Sequence, residues 1–169
     1  MLNKNNKKIL ILNTGGTFNK VYNQIEGKLV VPQDNYAVET IIESTKIDYF
    51  DIDGIIYKDS LEITKDDRKE LVKYIKKTDY EKVIIIHGTD TMGETAKFIA
   101  KNIKDKLIIL TGAMIPFSLN RMESTSNLLL AVGYMQQKTK NGVYISMHGN
   151  VKKHNKIYKN RELGIFECL

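Results

Sequence analysis

Val83-Ile84-Ile85-Ile86-His87-Gly88-Thr89-Asp90-Thr91 is the stretch that decides the fold. Four consecutive branched apolar residues are too few for a helix and read as a strand buried on both faces, as in a parallel sheet. The chain then turns polar, and Glu94, Thr95, Ala96, Phe98, Ile99 and Ala100 set up a helical period with Asp90 or Thr91 as N-cap. A hydroxyl and a carboxylate therefore stand at the carboxyl end of a central strand, beside a helix N-terminus. Open α/β sheets bind ligands there. Helix capping alone accounts for Thr89-Asp90-Thr91 equally well, so the flanking sequence has to decide.

Upstream, Lys8 to Asn13 is a first strand that runs into Thr14-Gly15-Gly16-Thr17. No G-x-G-x-x-G pattern and no P-loop lysine follow, which sets aside a phosphate cradle. Residues 18–31 alternate around a Glu26-Gly27 turn, the pattern of a hairpin or mobile flap. The glycines bring backbone N–H groups close to a reacting centre, with Thr17 displayed beside them. Asp34 to Thr45 is a helix with Asp34 as N-cap. Asp48 to Lys58 is a strand ending in Asp59-Ser60, and a helix from Thr64 runs to Lys77.

Downstream, Lys106 to Leu110 is a strand ending in Thr111-Gly112-Ala113-Met114-Ile115-Pro116. Asn127 to Gln137 is helical, with Ser124 or Ser126 as cap. Asn141 to Met147 is the last strand, and beyond His148 no period is evident. Strands alternating with helices imply a three-layer α/β fold, a doubly wound and mainly parallel sheet of flavodoxin or Rossmann type, as one domain over residues 1–169. Thr17, Ser60, Thr89 with Asp90, and Thr111 all fall at strand ends. So many small polar groups on one sheet edge exceed what capping needs and point to a small-molecule site.

The bulk properties agree with a single globular domain, long enough to bury a core. Of 169 residues, 42% are hydrophobic and 27% charged, which excludes disordered and collagen-like classes. The one cysteine, Cys168, allows no disulfide within the chain and fits a reducing compartment. Lys4, Lys7 and Lys8 precede an apolar run of strand length only, so no signal peptide is expected, and no run reaches a membrane span. A cytoplasmic location is the expectation. The net charge of +6 is spread among interleaved acids, the mark of a solvated surface rather than a nucleic-acid groove, with Lys152 to Lys156 the one unusually basic piece.

Histidines at 87, 148 and 154 make a poor metal set, and no G-x-S-x-G elbow occurs. Threonine chemistry remains. A Thr hydroxyl becomes a nucleophile when a base takes its proton, and Tyr22 or a lysine of the tail is the candidate base.

Thr14-Gly15-Gly16-Thr17, His87-Gly88-Thr89-Asp90-Thr91-Met92 with Glu94-Thr95-Ala96, and Thr111-Gly112-Ala113-Met114 with Pro116 together resemble the bacterial-type L-asparaginases, the asparaginase/glutaminase amidohydrolases. The resemblance extends over nearly the whole chain and covers that family's N-terminal domain only. It implies an open α/β sheet of flavodoxin-like character. It also implies hydrolysis of the side-chain amide of L-asparagine, or a related small amide, through a threonine acyl-enzyme without cofactor or metal. Carried over by position, Thr17 is the nucleophile, Tyr22 the flap tyrosine that assists it, and Thr89 with Lys159 the relay that activates water. Asp90 holds the substrate ammonium. Gly16, Ser60, Leu61, Gly88, Thr89, Asp90, Ala113 and Met114 are the implied substrate contacts, Leu61 standing where many members carry a polar side chain. The family's second domain, which completes the neighbouring site in a dimer, is not matched. A homodimer is expected. The alternatives are an amino-acid-binding module of weak or no activity, a subunit completed by another chain, and an amide-transfer subunit acting on a charged RNA.

Overall fold

The computed structural model describes residues 8–137 and 139–169; Lys4 and Lys7 lie outside them. A six-stranded sheet is formed by β1 (Ile9–Gly15), β4 (Phe50–Lys58), β5 (Lys82–Ile86), β6 (Leu107–Thr111), β7 (Gly142–Met147) and β8 (Asn150–Lys153), in the order β4-β1-β5-β6-β7-β8. The first five are parallel and β8 closes the edge antiparallel to β7. Two short hairpins stand apart from it: β2 (Val21–Asn23) with β3 (Lys28–Val30), which is the expected flap, and β9 (Ile157–Asn160) with β10 (Ile165–Cys168).

Among the described residues four helices sandwich the sheet: α1 (Tyr36–Ser44), α2 (Lys65–Lys77), α3 (Met92–Asn102) and α4 (Arg121–Gln136). Strand alternation sorts the core into two layers. Ile9, Ile11, Ile84, Ile86 and Ile109 face α1 and α4. Leu10, Leu12, Val83, Ile85 and Leu110 face α2, α3 and the β9–β10 hairpin, through Ile157 and Phe166. Both faces of β1, β5 and β6 are thus covered, which is why those segments carry unbroken apolar runs. Each such side chain contributes about 1.5–3 kcal/mol of burial. Among the described residues no helix is long and apolar enough to cross a membrane.

The expected doubly wound sheet is present, with several corrections. Helix α4 begins at Arg121, six residues earlier than its period suggests, because Asn120 rather than Ser124 or Ser126 caps it, accepting the Met122 N–H at 2.9 Å. Asn35, not Asp34, is the boundary residue of α1, although Asp34 Oδ1 does accept the Tyr36 N–H. Thr91 is the boundary residue of α3, but its hydroxyl donates to the Ser60 carbonyl instead of capping. The tail beyond His148, read as irregular, forms three strands. They are four residues each, with exposed lysines on β8, too short and too charged to show a period.

Candidate active site

The strand order reverses between β1 and β5: β1 leads outward to β4, whereas β5 leads to β6 and β7. A crevice opens outside the carboxyl ends of strands at such a point. The segments after β1, β4 and β5 meet there through glycine. Gly16 is left-handed (φ 75°), and a Cβ on it would stand 2.4 Å from Gly88 Cα. A Cβ on Gly88 would stand 2.6 Å from Ser60 Oγ. The missing Cβ at Gly16 and at Gly88 lets these three loops touch. Polar bonds fasten them: Asp90 N–H donates to Ser60 Oγ at 3.2 Å, and Thr91 Oγ1 donates to the Ser60 carbonyl at 2.7 Å.

Thr17 opens a single 3-10 turn (Thr17–Asn19) directly after β1 and is half-buried. It lines a cleft of about 650 Å³ together with Lys20, Tyr57, Asp59, Leu61 and Asp90. Thr89, 5% exposed, lines an adjoining cavity of about 330 Å³ with Asp90 and Lys159, so Asp90 is common to both spaces. Lys159, on β9, reaches across to donate to Thr89 Oγ1 and to Asp90 Oδ1, each at 2.9 Å. The lysine side chain is 14% exposed and that of Asp90 32%, so the lysine is the shielded member of the pair.

Other candidates sit differently. Leu61, 68% exposed, lines the cleft, whereas Ser60 is 1% exposed and is held between Gly88 and the Asp90 loop. The Gly16 N–H is taken by the Lys58 carbonyl. Ala113 is fully buried in one core layer and Met114 packs against the other; neither lines the cleft. Tyr22 is 59% exposed on the outer part of the flap and does not line the cleft with Thr17. Thr111, expected at the site edge, is fully buried and donates to the Ser146 carbonyl, a structural bond between β6 and β7.

Lys20 and Arg161 carried no signal in sequence. Lys20, three residues beyond Thr17, pairs with Asp59 at 2.6 Å inside the cleft. Burial raises the Asp59 carboxyl, but the Lys20 hydrogen bond, the Leu61 N–H and the charges of Lys20 and Lys159 outweigh it and hold Asp59 below its ordinary value. Arg161 donates to the Asp90 carbonyl at 3.0 Å. Such pairs join distant segments, and only the polar, unpatterned character of their loops could have hinted at them. His87, at the end of β5, is fully buried, and burial pushes it down to about 4, the Gly88 carbonyl opposing and the Arg68 charge adding to the shift. Its Nδ1 bonds the Gly88 carbonyl at 2.8 Å and its Nε2 has no partner among the described residues.

The family model described as asparaginase, N-terminal, matches residues 8–165. The thermostable L-asparaginase from Thermococcus kodakarensis shares the fold, with a TM-score of 0.81 at 23% identity over 96% of this chain and 51% of that chain. The probable cytoplasmic L-asparaginase from Campylobacter jejuni superposes with a TM-score of 0.80 at 27% identity, over 95% of this chain and 51% of that one. A glutamyl-tRNA(Gln) amidotransferase component of Methanococcus vannielii is 28% identical over 158 residues, 88% of this chain and 36% of that protein. The chain spans about half the length of these L-asparaginases and less of the amidotransferase component. With the matched residues running through every loop of the cleft, the chain belongs to the asparaginase family, whose N-terminal domain it matches.

Proposed function

We propose that the protein is an amidohydrolase that cleaves the side-chain amide of L-asparagine, or a similar small amide, through an ester on Thr17. The observation that carries this is the Lys159 contact, 2.9 Å from both Thr89 Oγ1 and Asp90 Oδ1, beside the cleft that displays Thr17. Thr17 Oγ1 attacks the amide carbonyl carbon, the C–N bond breaks, and ammonia leaves with the proton taken from the hydroxyl. Water then attacks the ester, releasing the carboxylic acid and restoring Thr17. Thr89 and Lys159 serve the second step. A charged Nζ donates to Thr89 Oγ1 and leaves that hydroxyl free to donate; once it has given up a proton, its lone pair accepts from the same hydroxyl, which can then take a proton from water. Asp90 keeps the lysine in place and presents its second oxygen to the substrate ammonium.

Thr17 itself needs a base. Tyr22 reaches it when the β2–β3 flap folds inward over the cleft. The flap base is pinned for such a hinge: Asn19 Nδ2 donates to the Pro32 and Asp34 carbonyls, and Asn13 Nδ2 to the Asp34 carbonyl and Asn35 Oδ1. The test is ammonia release from L-asparagine and L-glutamine by the wild type and by Thr17→Ala. Release by the wild type that falls by orders of magnitude in the variant supports the assignment; equal rates, or none in either, dismiss it. In this proposal the enzyme works in the cytoplasm as a homodimer, and light scattering at 19.4 kDa would contradict the dimer.

A second assignment rests on the amidotransferase relative and the basic tail segment Lys152 to Lys156: a component that frees ammonia for an RNA-bound acceptor. It requires RNA binding that weakens steeply with salt, and salt-independent or absent binding would eliminate it.

A further inference from the structure

The hairpin that carries Lys159 is outside the main sheet, since among the described residues β9 pairs only with β10. Among the described residues, four hydrogen bonds tie residues 157–168 to the rest of the fold. Three of them end on Thr89 and Asp90, at the candidate site itself. The fourth is the Phe166 N–H, which donates to His148 Nδ1 at 3.1 Å. Phe166 stands opposite Lys159 in the β9–β10 register. The bond therefore holds the hairpin at the position facing the lysine.

His148 is built into place. Its backbone is left-handed (φ 49°), a conformation few side chains adopt, and its N–H donates to Asn127 Oδ1 at 3.0 Å. A main-chain N–H can only donate, so Nδ1 must be the ring acceptor and Nε2 carries the proton. Nε2 then donates to Glu123 Oε1 at 3.1 Å. The same carboxylate accepts the Met114 and Ile115 N–H groups at 2.9 and 3.0 Å. The imidazole also stands edge-on to the Phe166 ring, centroids 5.9 Å apart. A continuous strap thus runs from the loop after β6, through Glu123 on α4 and His148, to the strand opposite Lys159.

We propose that His148, anchored by Glu123, is a positioning residue that holds Lys159 against Thr89 and Asp90. Its bearing on catalysis rests on the proposed role of Lys159, but the strap can be read without turnover. Amide hydrogen exchange and acetylation of Lys159 by acetic anhydride are followed by mass spectrometry in the full chain, for wild type, His148→Ala and His148→Asn. Asn tolerates a positive φ and places an oxygen near the position of Nδ1, so it keeps the acceptor for Phe166.

In His148→Ala, exchange across residues 157–168 and acetylation of Lys159 rise about tenfold, the factor expected for losing one such bond, while Val83–Ile86 is unchanged. His148→Asn restores both to near the wild-type rates. The inference is overturned by unchanged rates in the Ala variant, by faster exchange spread equally into Val83–Ile86, or by failure of Asn to restore. If the wild type releases ammonia, kcat also falls in His148→Ala with KM little changed, and an unaltered kcat rejects the positioning role. A wild type without amidase activity would remove the proposed function, while exchange and labelling still decide the strap.

Discussion

Lys159 Nζ stands 2.9 Å from Thr89 Oγ1, a contact that joins residues 70 apart in sequence and welds an outlying hairpin to the end of the central strand. Lys159→Met keeps the alkyl stem and removes the donor. It lowers kcat for amide hydrolysis by about 100-fold or more, as expected for a proton-transfer group, with the circular dichroism spectrum retained. Activity within a few-fold of wild type would show that the contact is structural only.

Tyr22→Phe tests the flap. Because Tyr22 is exposed and outside the cleft here, its effect depends on inward folding of β2–β3. Folding inward makes its hydroxyl a proton acceptor for Thr17, and the variant then loses about 100-fold in kcat with KM nearly constant. Wild-type rates would mean that the open flap is the working form and that another group activates Thr17.

Gly16→Ala tests how the loops are brought together. The new methyl meets Gly88 Cα at 2.4 Å on a left-handed backbone, so the β1 and β5 loops must part. Urea unfolding shows a loss of about 2–3 kcal/mol, in the range of overpacking plus backbone strain. Gly27→Ala, with a similar φ of 64° and nothing within 4 Å, is the control and costs about 1 kcal/mol. Equal losses in the two would remove the close-approach argument.

His87 sets a pH dependence. Its folded value of about 4 lies below its ordinary 6.5, so the unfolded chain binds a proton more readily. The neutral ring's contribution is complete above pH 6.5 and is lost as pH falls toward 4, a total of roughly 3 kcal/mol. Asp51, Asp59 and Asp67, all held below the ordinary carboxylate value, add their losses only at lower pH. Denaturant unfolding of the wild type at pH 7 and pH 5 checks the sign, and a stability that rises on acidification would contradict it.

Much of this was legible before any coordinates. The runs Ile9–Leu12, Val83–Ile86 and Leu107–Leu110 are covered on both faces, and such strands announce themselves through continuous apolar sequence. Thr89-Asp90 could be placed at a strand end for the same reason, whereas Asp59-Ser60 was placed by the interrupted apolar set Ile52, Ile55 and Ile56 of β4. What escaped lies where one buried residue anchors several exposed ones: β9 and β10 each bury a single side chain, Ile157 and Phe166, below any detectable period. Lys20–Asp59 and His148–Glu123 escaped because pairing between distant loops leaves no local trace. Thr111 misled, since a hydroxyl at a strand end serves a neighbouring carbonyl as readily as a ligand.

In the proposed mechanism Thr17 carries the acyl group that Thr89 and Lys159 help water to remove. Thr89→Val blocks the second step and leaves the first, so incubation with L-asparagine followed by rapid acid quench and peptide mass spectrometry reads it directly. One acyl adduct per chain is expected on the peptide containing Thr17, absent from Thr17→Ala/Thr89→Val. Ammonia release with no adduct on Thr17, or an adduct on another residue, would contradict it.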